Sequence, residues 1–199
     1  MRRTGLLAVG TAMVAALIAT ITPANATITG SVGFQCTAAL NPFPAVSGTG
    51  TCNGTATVSA SGTTTTGTAY TVAGANVPFA ANFTYFESCP AAVPAPPPTG
   101  SANGHATVTG LTAVVGGATT TARLDTDFDW TRGGNNAVIL TKNTTITFGN
   151  GQVAKATANP VNGRDDYGTA TFVPNPGFGT CTAPAPTTAT VSGTDTIPA

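Results

Sequence analysis

Three aspartates occupy alternate positions in the segment 123–130, which reads RLDTDFDW. Alternate residues of a β-strand point to the same face, so Asp125, Asp127 and Asp129 are expected on one face, together with Arg123. Carboxylate oxygens are the ligands that calcium prefers, and two of these side chains could converge on one ion. Alternate Cα atoms lie about 6.6 to 7 Å apart on a strand, so coordination by all three would need a bent strand. The segment predicts either a calcium site or a solvated acidic face.

The start of this segment matches an EF-hand loop, which begins Asp-x-Asp-x-Asp. Trp130 occupies the position that needs glycine, and Asn136 occupies the closing position, where EF-hands have a bidentate glutamate. The chain has one histidine and no C-x-x-C spacing, so the usual zinc ligand sets are missing from the sequence. We therefore expect no resident metal or cofactor, and the three aspartates are the only candidates.

The only tryptophan of the chain, Trp130, is the candidate ligand-binding aromatic. Carbohydrate-binding modules stack exposed aromatic rings against sugars, and an exposed Trp130 would serve that purpose. Its alternation with Leu124 and Phe128 favours a position in the core, where large aromatic side chains contribute much of the burial. The sequence leaves both interpretations open and favours the core.

The sequence is poor in side chains that could act as catalytic acids or bases. It has one histidine, His105, and one glutamate, Glu87, and contains neither a G-x-S-x-G nor an H-E-x-x-H motif. Glycoside hydrolysis needs two carboxylates at a set separation, and Asp165-Asp166, the remaining acidic pair, has the pattern of a turn between strands. We expect no enzymatic activity, and a hydrolase of unknown substrate is the less favoured alternative.

The four cysteines, Cys36, Cys52, Cys89 and Cys181, form an even set. Outside the cytoplasm an even set is typical of disulfides, and four cysteines allow three connectivities. We expect Cys36 to pair with Cys52, and Cys89 with Cys181. The chain-entropy argument assigns about 3 and 4.5 kcal/mol of stabilisation to loops of these lengths.

The N-terminus has the pattern of an export signal. Arg2 and Arg3 form a basic start, residues 6–21 form an apolar run, and Ala24-Asn25-Ala26 is a typical cleavage site. We expect residues 1–26 to be a signal peptide. No later stretch has 18 consecutive apolar residues, so we expect no membrane association after cleavage and predict a secreted, extracellular protein.

Thr, Ala and Gly make up half of the chain, with 41, 34 and 24 of its 199 residues. Charged residues are 7% and the formal net charge is zero, which argues against nucleic-acid binding because phosphates are neutralised by clustered Lys and Arg. Leu, Ile, Val and Phe account for only 31 of the 173 residues from Thr27 onward. So few large side chains make a thin core, and we expect disulfides to contribute to its stability.

Period-two alternation in Thr- and Val-rich stretches, interrupted by Gly and Pro, favours short β-strands. The alternating segments are residues 55–60, 79–85, 106–109, 124–130, 145–148, 169–173 and 189–192. Turn residues at 132–136 and 149–151 predict two hairpins. We predict an all-β fold, either an antiparallel β-sandwich (Ig-like or jelly-roll-like) or a barrel, stapled by two disulfides. Residues 27–199 form one domain in this prediction, with a Pro-rich surface connection at 90–98.

The Ala/Thr/Gly-rich composition, the arginine-led signal and the paired cysteines resemble small exported proteins of high-GC Gram-positive bacteria that have no assigned activity. The resemblance concerns the general style of the chain and carries no functional residue. From the export signal, the disulfides and the missing catalytic motifs, we expect a secreted or cell-envelope-associated structural or interaction protein. The expected partners are a cell-wall or extracellular polysaccharide or another envelope protein, and the alternative function is a carbohydrate-binding module.

Overall fold

The computed structural model describes residues 26–40, 47–88, 99–158, 163–175 and 188–198. None of these residues belongs to a helix long and apolar enough to cross a membrane. The strands are β1 (Thr27–Leu40), β2 (Ser47–Thr63), β3 (Ala69–Ser88), β4 (Thr99–Val115), β5 (Ala118–Gly133), β6 (Asn136–Phe148), β7 (Val153–Lys155), β8 (Asp166–Asn175) and β9 (Thr188–Ile197). Residues 1–25 of the predicted signal peptide and the Pro-rich connection at 90–98 lie outside the described residues.

All nine strands belong to one antiparallel sheet, in the order β5-β4-β3-β2-β1-β9-β8-β6-β7. β5 pairs with β4 on one side and with β6 on the other, so the sheet closes into a ring. The predicted all-β, antiparallel class is confirmed, and the described strands form one sheet rather than two separate ones. Alternation determines which face of a strand is buried but not which strand pairs with it, so the sequence left this arrangement open.

The two hairpins predicted from turn residues are present. Gly134 and Asn135 connect β5 to β6. At the second turn Gly151 N donates to Phe148 O at 2.9 Å, and the chain continues into β7. β6 therefore pairs with β5 on one side, and on the other side with β8 and then with β7.

The inner face of the ring is the core, to which alternate residues of the strands contribute. Its largest fully buried side chains are Phe148, Phe172, Leu111, Ile146, Val58 and Val108. Many of the other buried core positions are alanines: Ala38, Ala56, Ala60, Ala81, Ala102, Ala106, Ala113, Ala122, Ala137, Ala154, Ala170 and Ala189. A ring lined so often by methyl groups depends on its few aromatic side chains to fill the interior.

Glycines on the inner face make room for these aromatic rings. Phe83 of β3 lies opposite Gly50 of β2 and Gly104 of β4, and Phe34 of β1 lies opposite Gly193 of β9. A Cβ atom at Gly50 would lie 2.5 Å from the Phe83 ring, and one at Gly193 would lie 2.8 Å from Phe34 Cζ. Because glycine has no side chain, each ring covers the backbone of its neighbouring strand, and the glycines become part of the core packing.

The two rims of the ring differ in the connections that leave them. At one rim, short turns join β2 to β3, β4 to β5 and β6 to β7. At the other rim, the two-residue turn 134–135 joins β5 to β6. There β1, β3 and β8 also end and β2, β4 and β9 begin, separated in sequence by residues 41–46, 89–98 and 176–187. Of the four threonines at 63–66, Thr63 ends β2 and the other three belong to the first of the short turns. Thr64 is fully buried there, and its Oγ1 accepts a hydrogen bond from Thr68 N at 3.1 Å.

Cys36 of β1 and Cys52 of β2 form a disulfide with a Cα–Cα distance of 5.5 Å, as predicted. Both cysteines are buried, and they lie diagonally across the β1–β2 pair, since Cys36 faces Gly54 in the register. The other predicted pair, Cys89 and Cys181, lies outside the described residues.

Candidate functional site

The predicted row of aspartates lies on the outer face of β5. Asp125, Asp127 and Asp129 alternate with the inward-facing Thr126 and Phe128, which line the interior of the ring. The neighbouring strands β4 and β6 place polar side chains on both sides of the row. The sequence thus predicted the shared face correctly, and its neighbours determine what the three carboxylates contact.

Asp125 is held by a guanidinium and a hydroxyl. Arg123 Nε donates to its two carboxylate oxygens at 3.0 and 2.9 Å, and Arg123 Nη2 donates to Oδ1 at 2.8 Å. Thr107 Oγ1 donates to the same Oδ1 at 2.8 Å. Burial raises the pKa of Asp125, but hydrogen bonds from Arg123 and Thr107 outweigh it, so that the pKa is below its ordinary value.

His105 of β4 lies between two of the aspartates. Its Nδ1 is 2.9 Å from Asp127 Oδ1, and its Nε2 is 3.4 Å from Asp125 Oδ1. A protonated imidazole would donate to both carboxylates. Because carboxylates are the hydrogen-bond partners of both ring nitrogens, no serine or threonine of the described chain occupies the nucleophile position beside this histidine. The arrangement orders the surface rather than building a triad.

Asp127 is paired through a β-bulge in β6. The register between β5 and β6 shifts between Asp125 and Asp127, and Asn143 at the bulge has a left-handed backbone with φ of 57°. Asn143 Nδ2 donates to Asp127 Oδ2 at 2.8 Å. Hydrogen bonds from Asn143 and then His105 lower the pKa of Asp127 below its ordinary value. Asparagine suits this position because it tolerates the left-handed conformation better than most residues.

Asp129 contacts two cations. Lys142 Nζ donates to its Oδ2 at 3.3 Å, and Arg164, which precedes β8, donates to the same oxygen. Burial raises the pKa of Asp129, but hydrogen bonds from Arg164 and Lys142 outweigh it, so the pKa lies below its ordinary value. The bulge at Asn143 explains the contact with Lys142, because the shifted register places Lys142 opposite Asp127, beside Asp129.

The three aspartates do not form a metal centre in this arrangement. Each carboxylate is directed to its own partners, and among the described residues no group of three His, Cys, Asp or Glu side chains has the geometry to hold an ion. The sequence alone placed only Arg123 of these partners on this face, and it did not predict the contacts of Thr107, His105, Asn143, Lys142 and Arg164. A signal for Asn143 and Lys142 was the Lys-Asn pair that interrupts the alternation of β6.

A broad groove runs along this surface, with a volume of about 890 Å³. We call it the outer groove. It is bordered by side chains from six strands, Ala39, Thr49, Thr51, Asn82, Thr84, Asn103, His105, Asp127, Asp129 and Lys142, and by the inward positions Gly50, Phe83, Gly104 and Phe128. The groove contains both donors and acceptors, and Thr84 Oγ1 donates to Asn103 Oδ1 at 2.6 Å. Hydroxyl, amide, carboxylate and imidazole groups thus lie side by side on one surface.

Trp130 lies inside the ring and is 8% exposed. Its ring packs at 56° against the Phe172 ring, with the centroids 5.3 Å apart. The guanidinium of Arg132 lies over the Phe172 ring, 5.3 Å from its centroid. Trp130 Nε1 has no hydrogen-bond partner among the described residues. The indole therefore contributes to the core, as its alternation favoured, and does not form a surface on which a sugar could stack.

No family model matches this chain, and no curated protein or solved structure is significantly similar to it. The surface chemistry of the outer groove is therefore the basis for a functional proposal.

Proposed function

We propose that this chain is an exported, non-enzymatic interaction protein whose outer groove binds a neutral, hydroxyl-rich polysaccharide of the cell wall or extracellular space. The observation that carries the proposal is the set of hydrogen-bonding side chains ordered along one open groove of about 890 Å³. Sugars present hydroxyls that both donate and accept. A matching protein surface needs both kinds of group in fixed positions, as amides, hydroxyls, carboxylates and imidazoles provide.

The side chains of the groove are ordered before any ligand arrives. His105 is held between two carboxylates, Asp129 is held by Lys142, and Asn103 accepts from Thr84. Immobilising a flexible side chain on binding costs about 0.5 to 1.5 kcal/mol. A surface ordered by its own hydrogen bonds avoids much of that cost, which supports binding of a ligand that offers only modest contacts.

Charge within the groove is balanced locally. Asp127 and Asp129 face His105, Lys142, Asn143 and Arg164, so each carboxylate has a donor beside it. A strongly anionic or cationic ligand would have to displace these partners. The outer groove is thus better suited to a neutral polymer than to a phosphate-rich one.

The second disulfide of the proposal is compatible with the topology. β3 ends at Ser88 and β8 ends at Asn175 at the same rim of the ring, and Cys89 and Cys181 follow these two ends in the sequence. We keep the pairing of Cys89 with Cys181 as part of the proposal. The Cys36–Cys52 disulfide is compatible with an extracellular protein. Of the two predicted architectures, the ring of pairings favours the barrel.

Polysaccharide retention tests the proposal. The purified protein is sedimented with peptidoglycan and with insoluble polysaccharides, and the test variant combines Asn82→Ala with Asn103→Ala. The matched control combines Gln35→Ala with Thr171→Ala in a second groove, of about 840 Å³, that extends from β1 across β9 and β8 to β6 and β5. We expect at least one polysaccharide to retain the wild type and the control, with retention at least tenfold weaker in the test variant. Failure of every polysaccharide, or equal retention of both variants, would contradict the proposal.

A further inference from the structure

The interior of the ring contains a cavity of about 100 Å³. Inward-facing residues of β1, β2, β3, β4, β5, β6, β8 and β9 line it, and apolar atoms form almost all of its surface. We propose that this cavity is a binding site for a small, uncharged, apolar molecule of about the size of benzene. The site lies inside the ring, and the proposal does not depend on polysaccharide binding in the outer groove.

The cavity results from a row of small side chains. Cys52, Ala81, Ala106 and Thr126 are register partners on β2, β3, β4 and β5, and all four line the cavity. Inward-facing rows of register partners lie two residues away on each side of this small row. One of them contains Phe79, Val108 and Leu124, and the other contains Phe83 and Phe128. The space left by the small row lies between two rows of large side chains, which cannot collapse into it without leaving their own contacts.

The chemistry of the wall selects an apolar occupant. Thr126, Thr141, Thr144 and Asp195 are among the lining residues, but their polar atoms contribute almost nothing to the exposed wall. A water molecule held in a cavity needs two to four polar partners, which so little polar surface does not supply. Apolar cavities of comparable volume remain dry and take up benzene or xenon, since the ligand restores the dispersion contacts that the void lacks. The cavity is too small for a long-chain lipid, which limits the ligand to a handful of heavy atoms.

The wall also indicates how a ligand would enter. Most of the lining is buried, but of its aromatic side chains Phe34, Phe83 and Phe128 are only partly buried. Phe83 and Phe128 border the outer groove as well as the cavity. Movement of these two rings beside Gly104 would open a path from the groove to the interior, without breaking the pairing of any strand.

Benzene is the probe for this proposal, with Trp130 as the reporter. Trp130 is the only tryptophan of the chain and lines the cavity, so its fluorescence reports on the occupant. Benzene should raise the Tm of the full chain and change the Trp130 emission, both saturably. The filled variant Ala106→Val should bind at least tenfold more weakly. Ala80→Val, the same change on the outer face of the neighbouring strand, should bind as the wild type does.

Two results would overturn the proposal. One is a wild-type protein whose Tm and emission do not respond to benzene. The other is a folded Ala106→Val protein that binds benzene as tightly as the wild type. If Ala106→Val fails to fold, the methyl chemical shifts of the wild type test whether benzene binds in the cavity. Benzene must then shift the methyl resonances of Val108, Leu124 and Ile139, which line the cavity, and a response confined to other methyl groups would refute the site.

Discussion

Asn143 donates its side-chain amide to Asp127 Oδ2 at 2.8 Å from a backbone position with a left-handed φ of 57°. The bulge that produces this conformation shifts the β5–β6 register between Asp125 and Asp127. One irregular residue thus determines which donors face the row of aspartates and shapes one side of the outer groove.

Replacing Asn143 separates its backbone contribution from its side-chain contribution. Asn143→Ala removes the amide and places alanine in a left-handed conformation that costs most L-residues about 1 to 2 kcal/mol and that asparagine tolerates better. Asn143→Gly also removes the amide, but glycine adopts this conformation without that cost. We expect urea denaturation to show a loss of about 1 to 2 kcal/mol in the free energy of unfolding for Asn143→Ala and a smaller loss for Asn143→Gly. Equal stability of the alanine variant and the wild type would contradict this account of the bulge.

The aspartate row should make stability depend on pH in the acid range. The pKa values of Asp125, Asp127 and Asp129 are lower in the folded state than in the unfolded chain. At a pH between the folded and the unfolded pKa values, the unfolded chain therefore binds more protons than the folded protein. This contribution is complete above the unfolded pKa of about 3.9 and is lost as the pH falls through the folded values. Tm should therefore decline below about pH 4.

The triple variant that replaces Asp125, Asp127 and Asp129 with Asn provides the control for this pH dependence. Its Tm at pH 7 should lie below that of the wild type, because the amides cannot form the ion pairs. The two Tm curves should converge as the pH falls through the lowered folded pKa values of the wild-type carboxylates, because protonation removes their charge. Parallel curves across the whole range would show that other groups cause the acid sensitivity.

Two buried threonines should respond oppositely to the same substitution. Thr141 Oγ1 has no hydrogen-bond partner among the described residues, whereas Thr144 Oγ1 is 2.8 Å from Thr126 Oγ1. An unpartnered buried hydroxyl costs about 1 to 3 kcal/mol, so Thr141→Val should raise the free energy of unfolding by about 1 kcal/mol. Thr144→Val should lower it by a similar amount, since it leaves Thr126 with one partner fewer. Calorimetry measures the change in the free energy of unfolding for each variant. Changes of the same sign in both variants would show that the distinction between the two threonines is wrong.

Gly104 should tolerate no side chain. A Cβ atom there would clash with the carbonyl oxygen of Asn82 and would lie 2.7 Å from Phe83 Cβ and 2.8 Å from Phe128 Cζ. Overpacking of this kind typically costs about 1 to 3 kcal/mol, and we expect Gly104→Ala to lose that much stability. Gly133→Ala is the matched control, because nothing lies within 4 Å of its added Cβ. A Gly104→Ala protein as stable as the control would argue against the packing of aromatic rings over glycines.

The disulfides can be tested by stability and by thiol counting. The double variant Cys36→Ala, Cys52→Ala should lose about 3 kcal/mol, as the chain-entropy argument gives for a loop of this length. Its two remaining cysteines should still resist thiol reagents under non-reducing conditions if Cys89 pairs with Cys181. Two reactive thiols in the folded, exported protein would refute the second bridge.

The sequence by itself determined the strand class, the faces of the strands and one disulfide. Alternation in 124–130 placed Trp130 inside and the aspartates outside, because the strand period of two links neighbouring residues to opposite faces. The turns at 134–135 and 149–151 were recognisable because left-handed turn positions select Gly and Asn. β1 was missed, because Gly, Ala and Thr obscure its alternation.

Only the tertiary structure decided which strands pair, and with them the contacts of the site. His105, Asp127 and Asn143 come from three different strands, and their meeting depends on a register that contains a bulge. The cavity likewise arises because Cys52, Ala81 and Ala106 fall in one row across β2, β3 and β4. Local sequence encodes periodicity and turn chemistry, whereas register and ring closure follow from packing over the whole chain, which no single segment contains.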